Sequence, residues 1–289
     1  MNSIPFTNNK IVTGISRSIV IDFSNHSYRF INEKNNPPIK ETESAFKESQ
    51  FVSPYKIELR DYLSGAYSCI IDIKQAFFHN ETDIYKLICK MPINSVQLRW
   101  RSNYDIKPFL DRLYKAHSIL NIELVTDSYS NKVAKLLCKF PFHSITLLGE
   151  KKNVFNEYIP RLNYNPFEEN RQTLSFYFNL QYYIEAHHTN PYFFHKIYKD
   201  DEGNIYNSPE TKEIIASVCE PIEDIRKKIL FYYAHTPTRF PQNKINICRH
   251  CEFRYSCMDN RIPVNKKGTI QYIEECYYNP YTMQWFGGK

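Results

Sequence analysis

Ser68-Cys69-Ile70-Ile71-Asp72-Ile73 is the stretch on which the fold turns. Cys69 to Ile73 is a short apolar run rich in β-branched residues, the pattern of a strand buried on both faces. The period then changes. Asp83 to Lys90 predicts a helix, and Ser95-Val96-Gln97-Leu98-Arg99-Trp100 returns to strand. Ile106 to His117 reads as an amphipathic helix, Ile122 to Thr126 as strand, Asn131 to Cys138 as helix and His143 to Leu148 as strand again. Strands alternating with helices every 25 residues or so are βα units, which build a parallel sheet. About four such strands are too few to close an eight-stranded barrel. The expectation is an α/β fold built on a partial (βα)n barrel or an open parallel sheet.

Upstream, Ser18-Ile19-Val20-Ile21-Asp22-Phe23 and Tyr28-Arg29-Phe30-Ile31 flank the turn residues Asn25-His26-Ser27, which is a hairpin signal. Asn35-Asn36-Pro37-Pro38 breaks the chain, and Glu41 to Gln50 reads as a short helix. Residues 1–60 therefore form a small hairpin-plus-helix module, winged-helix-like by analogy. Residues 61–170 hold the βα units. In the third segment, 171–289, Thr173 to Leu180, Tyr182 to Ala186 and Phe193 to Tyr198 are aromatic, β-prone runs. Asp200 to Asn204 is a turn from which Ile205-Tyr206 returns. Pro221 to Tyr233 looks helical, with Ile222, Ile225 and Ile229 on one face.

The chain has 289 residues, of which 42% are hydrophobic and 24% charged, enough for a sizeable core and too apolar for global disorder. No apolar run approaches the roughly 18 residues of a membrane helix. Met1 to Lys10 lacks a signal-peptide apolar region, so a soluble, cytoplasmic protein without a membrane partner is expected. The seven glycines form neither GxGxxG nor a phosphate-binding loop. A net charge of +6 with the signs mixed permits an acidic partner without demanding one.

Eight cysteines are too few for a disulfide scaffold of this length, so the thiols are free, catalytic or metal-bound. Cys69, Cys89 and Cys138 read as core, and Cys219 fits either core or a stray ligand. The other four form a constellation. Cys248, Cys251 and Cys257 are spaced C-x2-C-x5-C, and Cys276 follows 19 residues later. Two cysteines separated by two residues bend around one centre, a third adds a vertex, and a distant fourth closes the site. Such a tail, poor in apolar periodicity, is held by ligand bonds in place of a core. Zinc and a 4Fe–4S cluster both accept four thiolates, and spacing alone separates neither from the other. His187, His188, His195 and His235 lack the spacing of ligands, and no catalytic nucleophile arrangement stands out.

The run Cys248-x2-Cys251-Glu252-Phe253-Arg254-Tyr255-x-Cys257, then Asp259, Arg261 and Cys276 ahead of Tyr278-Asn279-Pro280-Tyr281, resembles the SPASM domain. That domain is the auxiliary iron–sulfur extension of radical-SAM peptide-modifying enzymes. The resemblance is strongest to the SPASM proteins paired with ATP-grasp ligases in ribosomal-peptide maturation, the grasp-with-SPASM systems. Arg17 to Asp22, Tyr28 to Ile31, Val96 to Trp100 and Glu202 to Pro209 are similar to that family as well. The resemblance implies one 4Fe–4S cluster on Cys248, Cys251, Cys257 and Cys276, with Zn2+ as the alternative metal. The family's further cysteine is replaced by Arg261, so a second cluster is not expected. The radical-SAM motif C-x3-C-x2-C does not occur, so reductive cleavage of S-adenosylmethionine is not expected either.

Two functions follow. In the first, the chain serves peptide maturation, as a modifying enzyme or as a non-catalytic partner of one. It binds a precursor peptide through Ser18 to Ile31 by strand addition and acts with an ATP-grasp ligase. The alternative is a zinc-stabilised nucleic-acid-binding module built on Arg249, Arg254, Arg261 and abundant aromatics. Against nucleic acid, the basic residues form no stripe, and Glu252, Asp259, Glu274 and Glu275 share their neighbourhood.

Overall fold

The computed structural model describes residues 9–31, 68–74, 77–116, 121–127, 130–147 and 174–286, and the helix expected over Glu41 to Gln50 lies outside them. The chain divides into two units. One takes in the described parts of 9–31, 174–194 and 235–286, and the other those of 68–147 and 195–234. The N-terminal strands, which the sequence sets apart as a module, thus share a unit with the cysteine tail. Among the described residues no helix is long and apolar enough to cross a membrane.

The second unit is mixed α/β. Strands β4 (Ser68–Ile73), β5 (Ser95–Trp100), β6 (Asn121–Thr126) and β7 (Ser144–Leu147) pair in parallel in that order, as the βα alternation requires. On the other side of β4 lies β9 (Lys196–Lys199), also parallel, followed by antiparallel β10 (Asn204–Tyr206) and β11 (Ala216–Ser217). The result is a seven-stranded sheet of order β11-β10-β9-β4-β5-β6-β7. The turn expected over Asp200 to Asn204 joins β9 to β10, and Gly203 supplies its positive φ of 94°.

Helices α1 (Phe77–Lys90), α2 (Lys107–Ala116), α3 (Asn131–Leu137) and α5 (Ile222–His235) contribute to one hydrophobic cluster with the sheet. Its strand residues alternate: Cys69, Ile71 and Ile73 of β4 match Val96, Leu98 and Trp100 of β5 and Ile122 and Leu124 of β6. Each helix buries an i, i+3 or i+4 face, as with Phe109, Leu110 and Leu113 of α2. Helix α3 is started by Ser130, whose hydroxyl accepts from the Val133 N–H at 3.3 Å. Cys69 belongs to this core, whereas Cys138 caps the exposed C-terminus of α3 and Cys89 is half-buried. Cys138 is thus not the core residue the sequence suggested, because its backbone closes the helix while its thiol faces water.

In the first unit, β1 (Asn9–Thr13), β2 (Ser18–Asp22) and β3 (Ser27–Ile31) form an antiparallel sheet of order β1-β2-β3. The hairpin falls where expected, with His26 in the left-handed region at φ 48°. Strand β1 carries little apolar signal and was not foreseen. β8 (Leu174–Phe176) pairs with β12 (Cys257–Asp259). Tyr182 to Ala186, read as β-prone, lies within helix α4 (Leu180–His188). Asn179 decides this: its side chain accepts from the Tyr182 N–H at 2.8 Å and caps the helix, and Tyr182, Tyr183 and Ala186 then share a buried face. Beyond α5 the tail consists of short 3-10 turns and two small hairpins, β13/β14 (Pro263–Lys266, Thr269–Tyr272) and β15/β16 (Tyr278–Asn279, Gln284–Trp285).

The parallel sheet sets the stability of its unit. Leu98 is fully buried within that cluster. Replacing Leu98 with alanine should cost about 2–5 kcal/mol, read as a lower urea midpoint with an unchanged slope.

Candidate metal centre

Cys248 opens a 3-10 turn, Cys248–His250, that Cys251 closes by donating its N–H to the Cys248 carbonyl at 2.9 Å. The chain then folds back on itself, and the Cys257 N–H reaches the Phe253 carbonyl at 2.8 Å as β12 begins. Cys276 lies two residues before β15. Two backbone amides point at sulfur: Phe253 N–H at Cys251 Sγ (3.4 Å) and Tyr278 N–H at Cys276 Sγ (3.5 Å). An amide two residues beyond a cysteine, aimed at its sulfur, stabilises a thiolate, and such bonds tune metal–sulfur centres.

All four residues are half-buried and free of disulfides. Burial pushes the Cys251 thiol up to about 12 and holds Cys248 and Cys257 well above the ordinary thiol range. The Asp259 carboxylate and the neighbouring thiols add to the effect at Cys248 and Cys257, which places the four sulfurs within reach of one another's fields. They do not stand at closed ligand spacing: no group of three or more His, Cys, Asp or Glu side chains that could hold a metal ion is formed among the described residues. By donor chemistry the set nevertheless fits a thiophilic metal. Three thiols removed from water with Cys276 half-buried near them, two of the four sulfurs already receiving N–H donors, gain most from a cation that takes them as thiolates.

The surroundings fix the loop. Arg261 Nε donates to both oxygens of Asp259 at 3.0 Å, and its Nη1 donates to the Glu274 carbonyl at 2.7 Å, tying the Cys257 strand to the segment before Cys276. Arg254 Nη1 donates to the Cys251 carbonyl (3.0 Å) and to the Thr13 carbonyl of β1 (2.7 Å). Arg17 Nε donates to Glu252 Oε1 at 2.5 Å, Tyr278 Oη donates to the same oxygen at 2.6 Å, and the guanidinium lies 3.7 Å from the Phe30 ring centroid. Ile15 N–H bonds the His250 carbonyl at 2.9 Å. Gly14 permits this close approach, since a Cβ there would lie 2.7 Å from the Arg17 carbonyl oxygen and 2.9 Å from the Glu252 nitrogen. The turn between β1 and β2 is therefore fastened to the cysteine loop.

Sequence reasoning placed all four cysteines together but missed Arg17, Glu252 and Tyr278 as a set. Arg17 and Glu252 are 235 positions apart, and no local spacing marks such a pair. Of the three basic residues counted toward nucleic acid, Arg254 and Arg261 are buried in these contacts and Arg249 alone is exposed. His187 is no ligand here; its ring stacks on Tyr255 at 3.6 Å. Cys219 is exposed in the other unit. Comparison with family models, with curated proteins and with solved structures gives no match for this chain.

Helix α4, packed beside this site, carries two opposed titrations. Burial pushes His187 down to about 4, and it pushes Glu185 up to about 7. The unfolded chain protonates its histidine near 6.5 while the folded one does not, so the His187 contribution to stability falls as pH drops from about 6.5 toward 4. For Glu185 the folded chain keeps a proton that the unfolded chain loses near 4.5, so its contribution falls as pH rises from 4.5 toward about 7. His187→Gln should leave a urea midpoint that declines between pH 5 and 7 relative to the parent, and Glu185→Gln one that rises.

Proposed function

We propose that this chain is an accessory or modifying protein of ribosomally synthesised peptide maturation, a SPASM-like protein that binds a precursor peptide and acts with an ATP-grasp ligase in the cytoplasm. One observation supports the reading: the desolvated thiols of Cys248, Cys251 and Cys257 lie within reach of one another's fields and of Cys276, and their loop is fastened to the three-stranded sheet whose last described strand is β3. Cys248, Cys251, Cys257 and Cys276 would hold one 4Fe–4S cluster. A cluster with four thiolate ligands leaves no iron open, so what it supplies is a crosslink for the tail or an electron relay.

The rest is the work of the chain's own residues. Cys251, Cys257 and Cys276 pack against the cluster of Val12, Ile19, Ile21 and Phe253, so metal binding and the order of the hairpin are coupled. Among the described residues strand β3 lies at the end of its sheet, with Tyr28 and Phe30 40% and 44% exposed on the same side as Ile19 and Ile21. Tyr28 stacks on Phe178 at 4.7 Å, and Phe30 lies under Arg17, so both aromatics are held rigid while presenting an outer surface. An extended peptide can add to such an edge through main-chain hydrogen bonds and read it through aromatic side chains.

Anaerobically purified protein should be brown and hold four iron atoms and four sulfides per chain, and Cys276→Ala should lose both metal and solubility. A colourless protein with one zinc sinks the cluster assignment. With S-adenosylmethionine and a strong reductant, no 5′-deoxyadenosine should form above background. A fluorescein-labelled leader segment of the precursor that co-purifies with the chain should bind roughly tenfold more weakly, or worse, to Phe30→Ser. Equal binding by that variant removes the edge-strand site.

A further inference from the structure

The two faces of the seven-stranded sheet differ in character. The face of Ile71 and Leu98 belongs to the cluster shared with the helices. On the opposite face, pairing sets Asp72 of β4 beside Arg99 of β5, Gln97 beside Glu123 of β6, and Tyr198 of β9 beside Ile70. These polar side chains form two linked sets, one around Asp72 and one running from Arg99 to Glu123. Tyr198 Oη donates to Asp72 Oδ2 at 2.9 Å, and Lys74 Nζ stands 3.6 Å from the same oxygen. Arg99 Nε donates to Gln97 Oε1 at 3.0 Å, and Gln97 Nε2 donates to Glu123 Oε2 at 3.1 Å. Asp72 and Arg99 form a buried floor, 3% and 5% exposed, while Gln97 and Glu123 are half-exposed at its rim.

Two independent features mark this floor as a site. The first is topological. Strand order reverses at β4, with β5 to β7 on one side and β9 on the other. In open sheets of parallel strands, ligands lodge outside the carboxyl ends at such a reversal. Asp72 and Arg99 are each the next-to-last residue of their strands. The second is an unmet hydrogen-bonding need: Asp72 Oδ1 is buried and has no hydrogen-bond partner among the described residues. A desolvated carboxylate oxygen without a donor is costly, and the N–H of a bound ligand would offset that cost.

We propose that this face binds a small ligand of the amino-acid or amide class, whose N–H donor meets Asp72 and whose carboxylate or carbonyl oxygen meets Arg99. The adjacency of opposite charges selects that class. Lys74 and Tyr198 both stand at Asp72 Oδ2, so it is Oδ1 that asks for a donor, and an N–H with an oxygen acceptor on a neighbouring atom would meet Oδ1 and the adjacent guanidinium together. All of its residues lie in the unit that does not contain the cysteine centre.

Calorimetric titration of the full chain with a panel of free L-amino acids, and with the same set as N-acetyl methylamides, tests the proposal. Saturable binding of at least one probe is expected, and the series that binds tells a zwitterion from a peptide unit. Asp72→Asn keeps the acceptor for Tyr198 but removes the charge, and should weaken that binding about tenfold or more. Arg99→Lys, which keeps the charge but loses the fork, should do likewise and serves where Asp72→Asn does not fold. Absence of saturable binding by every probe, or unchanged affinity in a folded variant, overturns the site.

Discussion

Strand β4 is the constraint on which the second unit depends. It is paired in parallel on both edges, so neither neighbour can reach it through a tight turn. Strand β5 returns through a helix, and β9 arrives only after the chain has contributed residues 174–194 to the other unit. Both features of interest descend from this winding. It brings Tyr198 to Asp72, 126 positions earlier, and it leaves the first unit assembled from three separated segments.

In that first unit the counterpart is the set of contacts that fastens the hairpin turn to the cysteine loop. The tail after α5 has few long elements, and a segment of short turns cannot bury enough apolar area to order itself. Its order comes from Arg261 on Asp259, from Arg254 on the Thr13 and Cys251 carbonyls, and from Arg17 and Tyr278 on Glu252. A buried ion pair such as Arg17–Glu252 is weak support by itself, because desolvation offsets much of the attraction. Here Tyr278 adds a second donor to the same carboxylate oxygen, and the Phe30 ring covers the guanidinium, so Glu252 Oε1 is met twice.

Legibility followed locality. The βα alternation from Cys69 to Leu147 was read correctly element by element, because burying one helix face and alternate strand residues leaves a periodic trace. Helix α1 was read short because its periodic face begins only at Ile84. Helix α4 was misread because Tyr and Ile favour strands when nothing else speaks; the Asn179 cap, a single side chain, overrode that preference. Strand β1 was invisible, since Val12 is its only fully buried residue. Asp72 and Arg99 stood in apolar strands as plain exceptions, and parity alone hinted that they face away from Ile71 and Leu98.

By itself the sequence determined the α/β class with its run of parallel strands and the N-terminal hairpin, and it proposed the grouping of four cysteines, since each is written in periods or spacings of a few tens of residues. The tertiary structure alone decided that the hairpin joins the cysteine tail and that β9 lies beside β4. It alone decided that Glu252 receives Arg17 and that a carboxylate and a guanidinium share the sheet's second face. Those pairings join residues with no local relation, and they arise only when buried polar groups must find partners in the folded chain.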